Sequence, residues 1–368
     1  MPLLIQCVPC DPLVEKYLLP KNPVFTELTG ILAETINYQT PQVRTVTSFA
    51  AGNSKWCGGV LASNGKIYGI PYYTANVLEF TPGVNTFKLV SPFAASWKWA
   101  GGVLHSNGKI YGIPYGSSDV LEFDPTTNTG IRFGNVGTAS NKWMGGVAHP
   151  NGKIYGIPFD HASILEIDPI TKTTTTFGNL GVTQEKYRSA VLHPNGKIYC
   201  IPDKKNYILE IDPLTQTTRE VGEHSYVMMW HGGVISAEGK IYCMPKNATY
   251  IRMYNPADDT TVDFGSVTQA NAGGLSQRYH GGVLAPNGRI YGIPFNAAQV
   301  MEINTENNTV GFLSHNLGTT LNKWMGGVLA PNGKIYGVAS NSPNMLEIDT
   351  YHISKDPSAG LLPYFNNL

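Results

Sequence analysis

The sequence contains little charge and no long apolar run. Of its 368 residues only 14% are charged, and 26 acidic side chains balance 26 basic ones. A net charge of zero gives no electrostatic reason to expect nucleic acid or an anionic membrane as a partner. A membrane-spanning helix would need about 20 apolar residues in a row, and the sequence has no such run. We therefore expect no nucleic-acid partner and no membrane span.

The N-terminus also lacks the features of an export signal. It has no basic region, and Pro9, Asp11 and Pro12 interrupt its apolar residues. We therefore predict a cytoplasmic protein or a virion component assembled in the cytoplasm. The five cysteines have no framework spacing, and Cys7 with Cys10 forms a lone CxxC, which is weak evidence for a metal or redox site. The sequence predicts no metal and no cofactor.

In contrast, glycine (40), proline (25) and tyrosine (20) are plentiful, and they belong to a unit that occurs seven times. The unit reads K-W-x-G-G-V-L-x-P-N-G-K-I-Y-G-I-P and continues with V-L-E-I-D-P-x-T. Its Ile-Tyr pair recurs in steps of 43, 44, 44, 43, 49 and 45 residues, at Tyr68, Tyr111, Tyr155, Tyr199, Tyr242, Tyr291 and Tyr336. Such a period is typical of propeller blades. We predict an all-β fold, a seven-bladed β-propeller over residues 43–350.

Each unit predicts one blade of four antiparallel strands. Asn-Gly closes a hairpin between the first two strands, because both of its residues tolerate positive φ. The seventh unit stops after its third strand, at 345–349, whereas a strand-like segment at 43–49 precedes the first unit. We predict that this N-terminal strand completes the last blade and closes the ring. Residues 1–42 would then be an extended N-terminal arm and 351–368 a C-terminal tail.

The motif G-K-I-Y-G-I-P with V-L-E-I-D-P-x-T-x-T resembles kelch-type propeller repeats over residues 43–350. Two features differ from the kelch pattern. Ile-Pro stands where kelch repeats have a double glycine, and Phe133, Phe177 or Phe264 lies nearest to the expected tryptophan. Kelch-like propellers are mostly interaction platforms with a minority of enzymes, so the resemblance implies binding more than catalysis.

A cation followed by an aromatic precedes the double glycine in most units, and we predict that these pairs form a ring at the channel mouth. Such a ring would suit a glycan or an acidic peptide. The alternative is structural, with aromatics packed between blades and solvated lysines. The cations are Lys55, Lys98, Lys142, Lys186, Arg278 and Lys323. The aromatics are Trp56, Trp99, Trp143, Tyr187, Trp230, Tyr279 and Trp324.

The fourth to sixth units depart most from the repeat, and we predict the ligand or partner site there. Arg188 replaces an uncharged residue, and the following loop carries Lys204 and Lys205. His231 and His280 occupy one equivalent position in adjacent units. A basic, aromatic rim would favour an acidic partner.

Other repeated residues fit structural roles better. A lysine or arginine that opens the second strand is expected to lie near Asp124, Asp168, Asp212 and Asp349, forming cross-strand ion pairs. His105, His149 and His193 share one position in three units, but no carboxylate accompanies them, so a metal ring is disfavoured.

No G-x-S-x-G, H-E-x-x-H or Walker motif is present, so no residue is predicted to be catalytic. Near-uniform blades also argue against catalysis, which needs different groups in different places. We therefore predict a non-catalytic interaction scaffold with protein partners in an assembly, such as a virion component. Two alternatives remain, a lectin-like binder and a propeller lyase or hydrolase. A cleft that joins Arg188, His231 and His280 would favour the enzyme.

Overall fold

The computed structural model describes residues 38–39, 41–50, 52–93, 98–225, 228–268, 276–350 and 352–353. The chain forms two compact units, of which one is Val43–Ile348 and the other combines Met1–Gln42 with Asp349–Leu368. In the second unit, strand Tyr38–Gln39 pairs antiparallel with strand His352–Ile353. Most of the predicted arm and tail, with Cys7 and Cys10, lies outside the described residues. Within the described ranges, no helix has the length and apolarity needed to cross a membrane.

The unit Val43–Ile348 is a seven-bladed β-propeller, and each blade is a sheet of four strands. We call the strands a to d, with strand a innermost. Strands a are Trp56–Leu61, Trp99–Leu104, Trp143–Ala148, Tyr187–Leu192, Trp230–Ile235, Tyr279–Leu284 and Trp324–Leu329. Strands b are Ile67–Pro71, Ile110–Pro114, Ile154–Pro158, Ile198–Pro202, Ile241–Pro245, Arg289–Pro294 and Ile335–Ala339. The predicted fold class is confirmed.

The outer half of each blade follows the same order. Strands c are Asn76–Thr81, Val120–Asp124, Ile164–Asp168, Ile208–Asp212, Ile251–Asn255, Met301–Asn304 and Met345–Asp349. Strands d of blades 1 to 6 are Thr86–Pro92, Thr129–Phe133, Thr173–Phe177, Thr217–Val221, Thr260–Phe264 and Thr309–Phe312. Strands b and c are buried almost throughout, whereas strands d are largely exposed. The blade cores therefore lie between neighbouring sheets, where apolar side chains of adjacent blades interlock.

The ring is closed by the N-terminal strand, as the sequence predicts. Strand Gln42–Val46 lies beside strand Met345–Asp349 as strand d of blade 7. Arg44 pairs with Glu347 at 2.8 Å, and Val43 is buried against the core of blades 6 and 7. Residues separated by about 300 positions in the sequence thus share one sheet, so the propeller has no open seam at this blade.

The double glycine of strand a allows the blades to approach one another at the channel. Gly101 has a φ of 81°, and a Cβ atom placed on it would lie 3.0 Å from the Cα of Gly145 in the next blade. A Cβ on Gly102 would lie 2.6 Å from the Cδ1 of Ile70 in the preceding blade. Side chains at either position would push neighbouring blades apart. Blade 4 carries Ser189 and Ala190 instead, and its bulge is at Arg188.

The repeated charges and histidines join strands and blades. The cations of strand b pair with the strand c glutamates, as in Lys66 with Glu79 at 2.7 Å, and not with the aspartates that we predicted. Asp124, Asp168 and Asp212 instead close the c–d turns of their blades, as when Asp168 Oδ1 accepts the backbone N–H of Ile170. His105 bonds through Nε2 to the carbonyl of Gly152 in the next blade at 3.0 Å, and His149 and His193 repeat this contact. These three rings therefore link consecutive blades.

Candidate active site in the central channel

The residue after the aromatic of each strand a is the position at which the blades differ most. In blades 1 to 7 it is Cys57, Ala100, Met144, Arg188, His231, His280 and Met325. The first six line one cavity of about 190 Å³ in the channel, and Met325 packs with Cys57, Ala100 and Met144 in an apolar cluster. Three consecutive blades thus present basic groups to the channel, and the other four present apolar groups. We call these two halves the polar arc and the apolar arc.

Arg188 is held in place on three sides. Its Nε donates to Asp203 Oδ2, and its Nη2 donates to Glu185 Oε2 at 3.3 Å. The guanidinium lies 4.8 Å from the ring centre of Phe159 in blade 3. These contacts fix the plane of the group, and the described residues provide no partner for Nη1. A fixed guanidinium with a free N–H edge is suited to binding an oxyanion.

Asp203 anchors a second cation at the same place. It is fully buried and accepts hydrogen bonds from Lys246 Nζ at 2.9 and 3.1 Å. Burial and the nearby guanidinium of Arg188 lower the pKa of Lys246, while the Asp203 carboxylate opposes this shift. Lys204 pairs with Glu185 at 3.4 Å, so three cations and two carboxylates form the cluster, which has a net charge of plus one.

His231 and His280 contact each other, with ring centres 3.5 Å apart and planes at 75°. The Nε2 atoms of both imidazoles are shielded from solvent and have no partner among the described residues. Desolvation is the main cause that lowers the pKa of His280 to about 3, and the cations Arg188 and Lys246 contribute to the same shift. Desolvation and neighbouring positive groups also hold the pKa of His231 well below its ordinary value. Both imidazoles are therefore neutral at pH 7.

A second ring follows strand b, and its polarity matches that of the first ring in blades 1 to 5. Tyr72, Tyr115, Phe159 and Phe295 occupy it in blades 1, 2, 3 and 6, whereas Asp203, Lys246 and Ser340 occupy it in blades 4, 5 and 7. All four aromatics belong to the apolar cluster of the channel. In blades 1 to 3 aromatic groups therefore extend the apolar arc, and in blades 4 and 5 charged groups extend the polar arc.

The predicted ring of cations and aromatics does not face the channel. The cations are buried, and each donates to backbone carbonyls, as when Lys142 Nζ bonds to Ser117 O at 2.9 Å and Ala139 O at 2.6 Å. Burial lowers the pKa of Lys142 to about 8. The equivalent contacts of Lys55, Lys98, Lys186 and Arg278 also tie loops of adjacent blades together, whereas Lys323 bonds to Thr320 O within its own loop. The structure thus offers no solvated lysine at these six positions.

The aromatics of this ring lie inside the blades. Trp99 is fully buried and its Nε1 donates to Asp119 O at 2.8 Å, and Trp56, Trp143 and Trp324 make the same contact in their blades. Tyr187, Trp230 and Tyr279 are buried as well. Of the predicted site residues, the structure brings together Arg188, His231 and His280 in the channel, with Lys204 near Arg188. Lys205 is half-buried in the same loop.

Asp203 and Lys246 lie in the divergent fourth and fifth units, but sequence reasoning predicted neither their ion pair nor the channel-facing role of the position after the aromatic. A signal for that role was present, because this position varies more than the others in the K-W-x-G-G motif. Asp203 and Lys246 stand where other repeats have tyrosine, phenylalanine or serine. Among the described residues, no group of three His, Cys, Asp or Glu side chains is arranged to hold a metal ion.

The fold and its channel together define a seven-bladed propeller with a cavity on its axis that is polar on one side and apolar on the other. The sequence matches no known family and no curated protein. A solved structure of streptogramin B lyase is similar, with a TM-score of 0.72 and 13% identity over 84% of this chain and 98% of that chain. An inactive histidine-to-alanine variant of virginiamycin B lyase from Staphylococcus aureus, solved with quinupristin, has a TM-score of 0.70 and 10% identity over 84% and 99%. Hydrazine synthase of Kuenenia stuttgartiensis has a TM-score of 0.62 and 13% identity over 81% and 96%.

Identities this low show a shared fold alone. They support a seven-bladed propeller without supporting the kelch-like resemblance. The prediction of a non-catalytic scaffold or virion component is wrong, since the similar structures include lyases built on this same propeller. The argument from uniform blades fails for a physical reason. Uniformity is confined to the blade interiors, where packing demands it, whereas the channel position differs from blade to blade.

Proposed function

We propose that this chain is a propeller enzyme of the lyase type that acts on a small molecule in the channel. The observation that carries the proposal is the polar arc, where two neutral imidazoles in contact lie beside a fixed guanidinium. A buried polar atom without a partner costs about 1–3 kcal/mol. Four other blades avoid this cost with Met, Ala or Cys at the same position. Retaining His231 and His280 therefore fits a role in chemistry better than a role in packing.

The arrangement suits an elimination reaction. Arg188 holds a carboxylate or carbonyl oxygen of the substrate and stabilises the negative charge that develops on it. The bound oxyanion offsets Arg188 and Lys246 and so raises the pKa of the histidine pair. The pair then takes the proton from the adjacent carbon, and the electron pair of that C–H bond forms a C=C bond. The bond from the next carbon to the leaving group breaks, and the imidazolium returns its proton to the departing atom. No water or redox partner is consumed.

Two further observations support this function. The cleft joins Arg188, His231 and His280, which is the feature that the sequence analysis gives as favouring an enzyme. In addition, the S. aureus lyase with the same fold is inactive when one histidine is replaced by alanine. That result belongs to the other protein, and it motivates the corresponding experiment here.

The test is to incubate the protein with small acids that carry a leaving group on the β carbon. Mass spectrometry then follows the products. A lyase yields products whose masses sum to that of the substrate, and we expect at least a roughly 100-fold loss of rate in the His231→Gln/His280→Gln variant. His315→Gln, at an exposed histidine, is the matched control. Products that gain one water, or conversion that survives the double variant, would contradict the proposal.

A further inference from the structure

We propose that the channel selects a small monocarboxylic acid with an apolar group about the size of a benzene ring. The carboxylate binds at Arg188 and the apolar group lies against the apolar arc. This inference rests on the proposed function because it uses the same channel site. It concerns which ligand binds there and not which reaction follows. Three features carry it, namely polarity, charge and size.

The polar and apolar residues of the channel lie on different sides of it. In the first ring, formed by the residue after the aromatic of each strand a, the basic residues come from blades 4 to 6 and the apolar residues from blades 7, 1, 2 and 3. The second ring keeps this division in blades 1 to 5 but not in blades 6 and 7, which carry Phe295 and Ser340. A ligand with one polar end and one apolar end matches the first ring in a single orientation. A uniformly polar sugar would leave its hydroxyls unpaired against the methionines.

The charge of the polar arc favours one negative charge. Arg188, Lys246 and Lys204 are opposed by Asp203 and Glu185, so one positive charge is left over. The imidazoles beside this cluster are neutral and add no charge to it. A carboxylate balances the excess charge and fits the planar guanidinium. A dianionic phosphate carries one negative charge more than this excess positive charge can balance.

The size of the cavity limits the apolar group. Its volume is about 190 Å³, and an apolar protein cavity of about 150 Å³ is known to hold benzene. Strand a glycines, among them Gly58, Gly101 and Gly145, line the rest of the cavity. One phenyl ring or a branched aliphatic chain of similar volume therefore fills the space.

The experiment is isothermal titration of the full-length protein with four probes: 3-phenylpropanoate, 3-phenylpropanamide, propanoate and phenyl phosphate. We expect 3-phenylpropanoate to bind at least about tenfold more tightly than each of the other three. Arg188→Gln should remove the preference for the acid over the amide. Met144→Gln should weaken the binding of the acid and the amide equally. Arg132→Gln, at a half-exposed arginine of the outer strand of blade 2, is the control and should change nothing.

Equal affinity for the acid and the amide, or tighter binding of phenyl phosphate, would overturn this inference. The comparison of probes uses the native protein, so it decides the question even if Arg188→Gln fails to fold. The result of this binding experiment is also independent of the result of the turnover experiment that tests the proposed function. Selective binding of the acid together with no turnover of any substrate would leave the inference standing and remove the lyase, whereas turnover without acid selectivity would do the reverse.

Discussion

At the scale of single residues, the histidine pair makes the stability of the fold depend on pH. Each imidazole has a lower pKa in the channel than in the unfolded chain, where it is exposed to water. The pKa of His280 is lowered to about 3 by desolvation and by Arg188 and Lys246, and that of His231 is lowered too. Between pH 6.5 and about 3 the unfolded state therefore binds more protons than the folded state. Stability falls as the pH falls through this window.

This gives a measurable pH dependence. For each of the two histidines, the free energy of unfolding should decrease by up to about 1.4 kcal/mol per pH unit below pH 6.5. Urea denaturation at several pH values measures the slope, and His280→Phe should reduce it by about that amount. His315→Gln should leave it unchanged. An unaltered slope in His280→Phe would show that this imidazole titrates normally.

Asp203 is the positioning residue of the polar arc. Asp203→Asn removes the buried carboxylate and leaves Arg188 and Lys246 close together without it, which should cost about 3–5 kcal/mol of stability. Adding Lys246→Met should recover part of the loss, because one buried cation is then removed. Chemical denaturation measures both effects. The control is Asp119→Asn. Asp119 pairs at 3.7 Å with Arg132, which is half-exposed, so this change should cost less than about 1 kcal/mol. A similar loss of stability in Asp203→Asn and Asp119→Asn would contradict the role of Asp203.

At the scale of the strand, the inner glycines determine how closely the blades can pack. Gly101 and Gly108 lie in the same blade with φ values of 81° and 80°, but a Cβ atom would have backbone of the next blade within 4 Å only at Gly101. Gly101→Ala and Gly108→Ala should each lose about 1 kcal/mol to the left-handed conformation. Gly101→Ala should lose a further 1–3 kcal/mol, in order of magnitude, through overpacking. Equal thermal stabilities would show that the blades are not in close contact there.

Strand-level features were the part of the structure that the sequence predicted best. Asn-Gly turns, present in six units, and the Ile-Tyr pair that opens strand b are local signals, and the Ile-Tyr pair recurs seven times and so locates every blade. The buried lysines were not predictable in the same way. Lys142 bonds to Ser117 O, which belongs to the preceding blade, so its burial depends on how two blades pack. The same holds for the channel, where Arg188, His231 and His280 meet only because strands a line one axis.

At the scale of the whole molecule, closure of the ring depends on a strand from the other end of the chain. Val43 is buried with Leu346 and Ile348, whereas Thr45 on the same strand is exposed. Val43→Asp should destabilise the propeller by about 3 kcal/mol or more, because it buries an unpaired charge. Thr45→Asp should change stability by less than about 1 kcal/mol. Thermal denaturation compares the two, and equal midpoints would show that this strand does not complete blade 7.

The channel is also a whole-molecule property, because all seven blades contribute to it. The central claim is that its polar arc holds an anionic substrate beside a neutral histidine pair. NMR of the protein with ¹³C-labelled histidine tests this directly, by following the ring signals across pH with and without 3-phenylpropanoate. We predict that the probe shifts the signals of His231 and His280 and raises the pKa of His280 from about 3 towards its ordinary value, since the carboxylate offsets Arg188 and Lys246. Shifts confined to His161, His224 or His315, or an unchanged pKa of His280 under saturating probe, would contradict it.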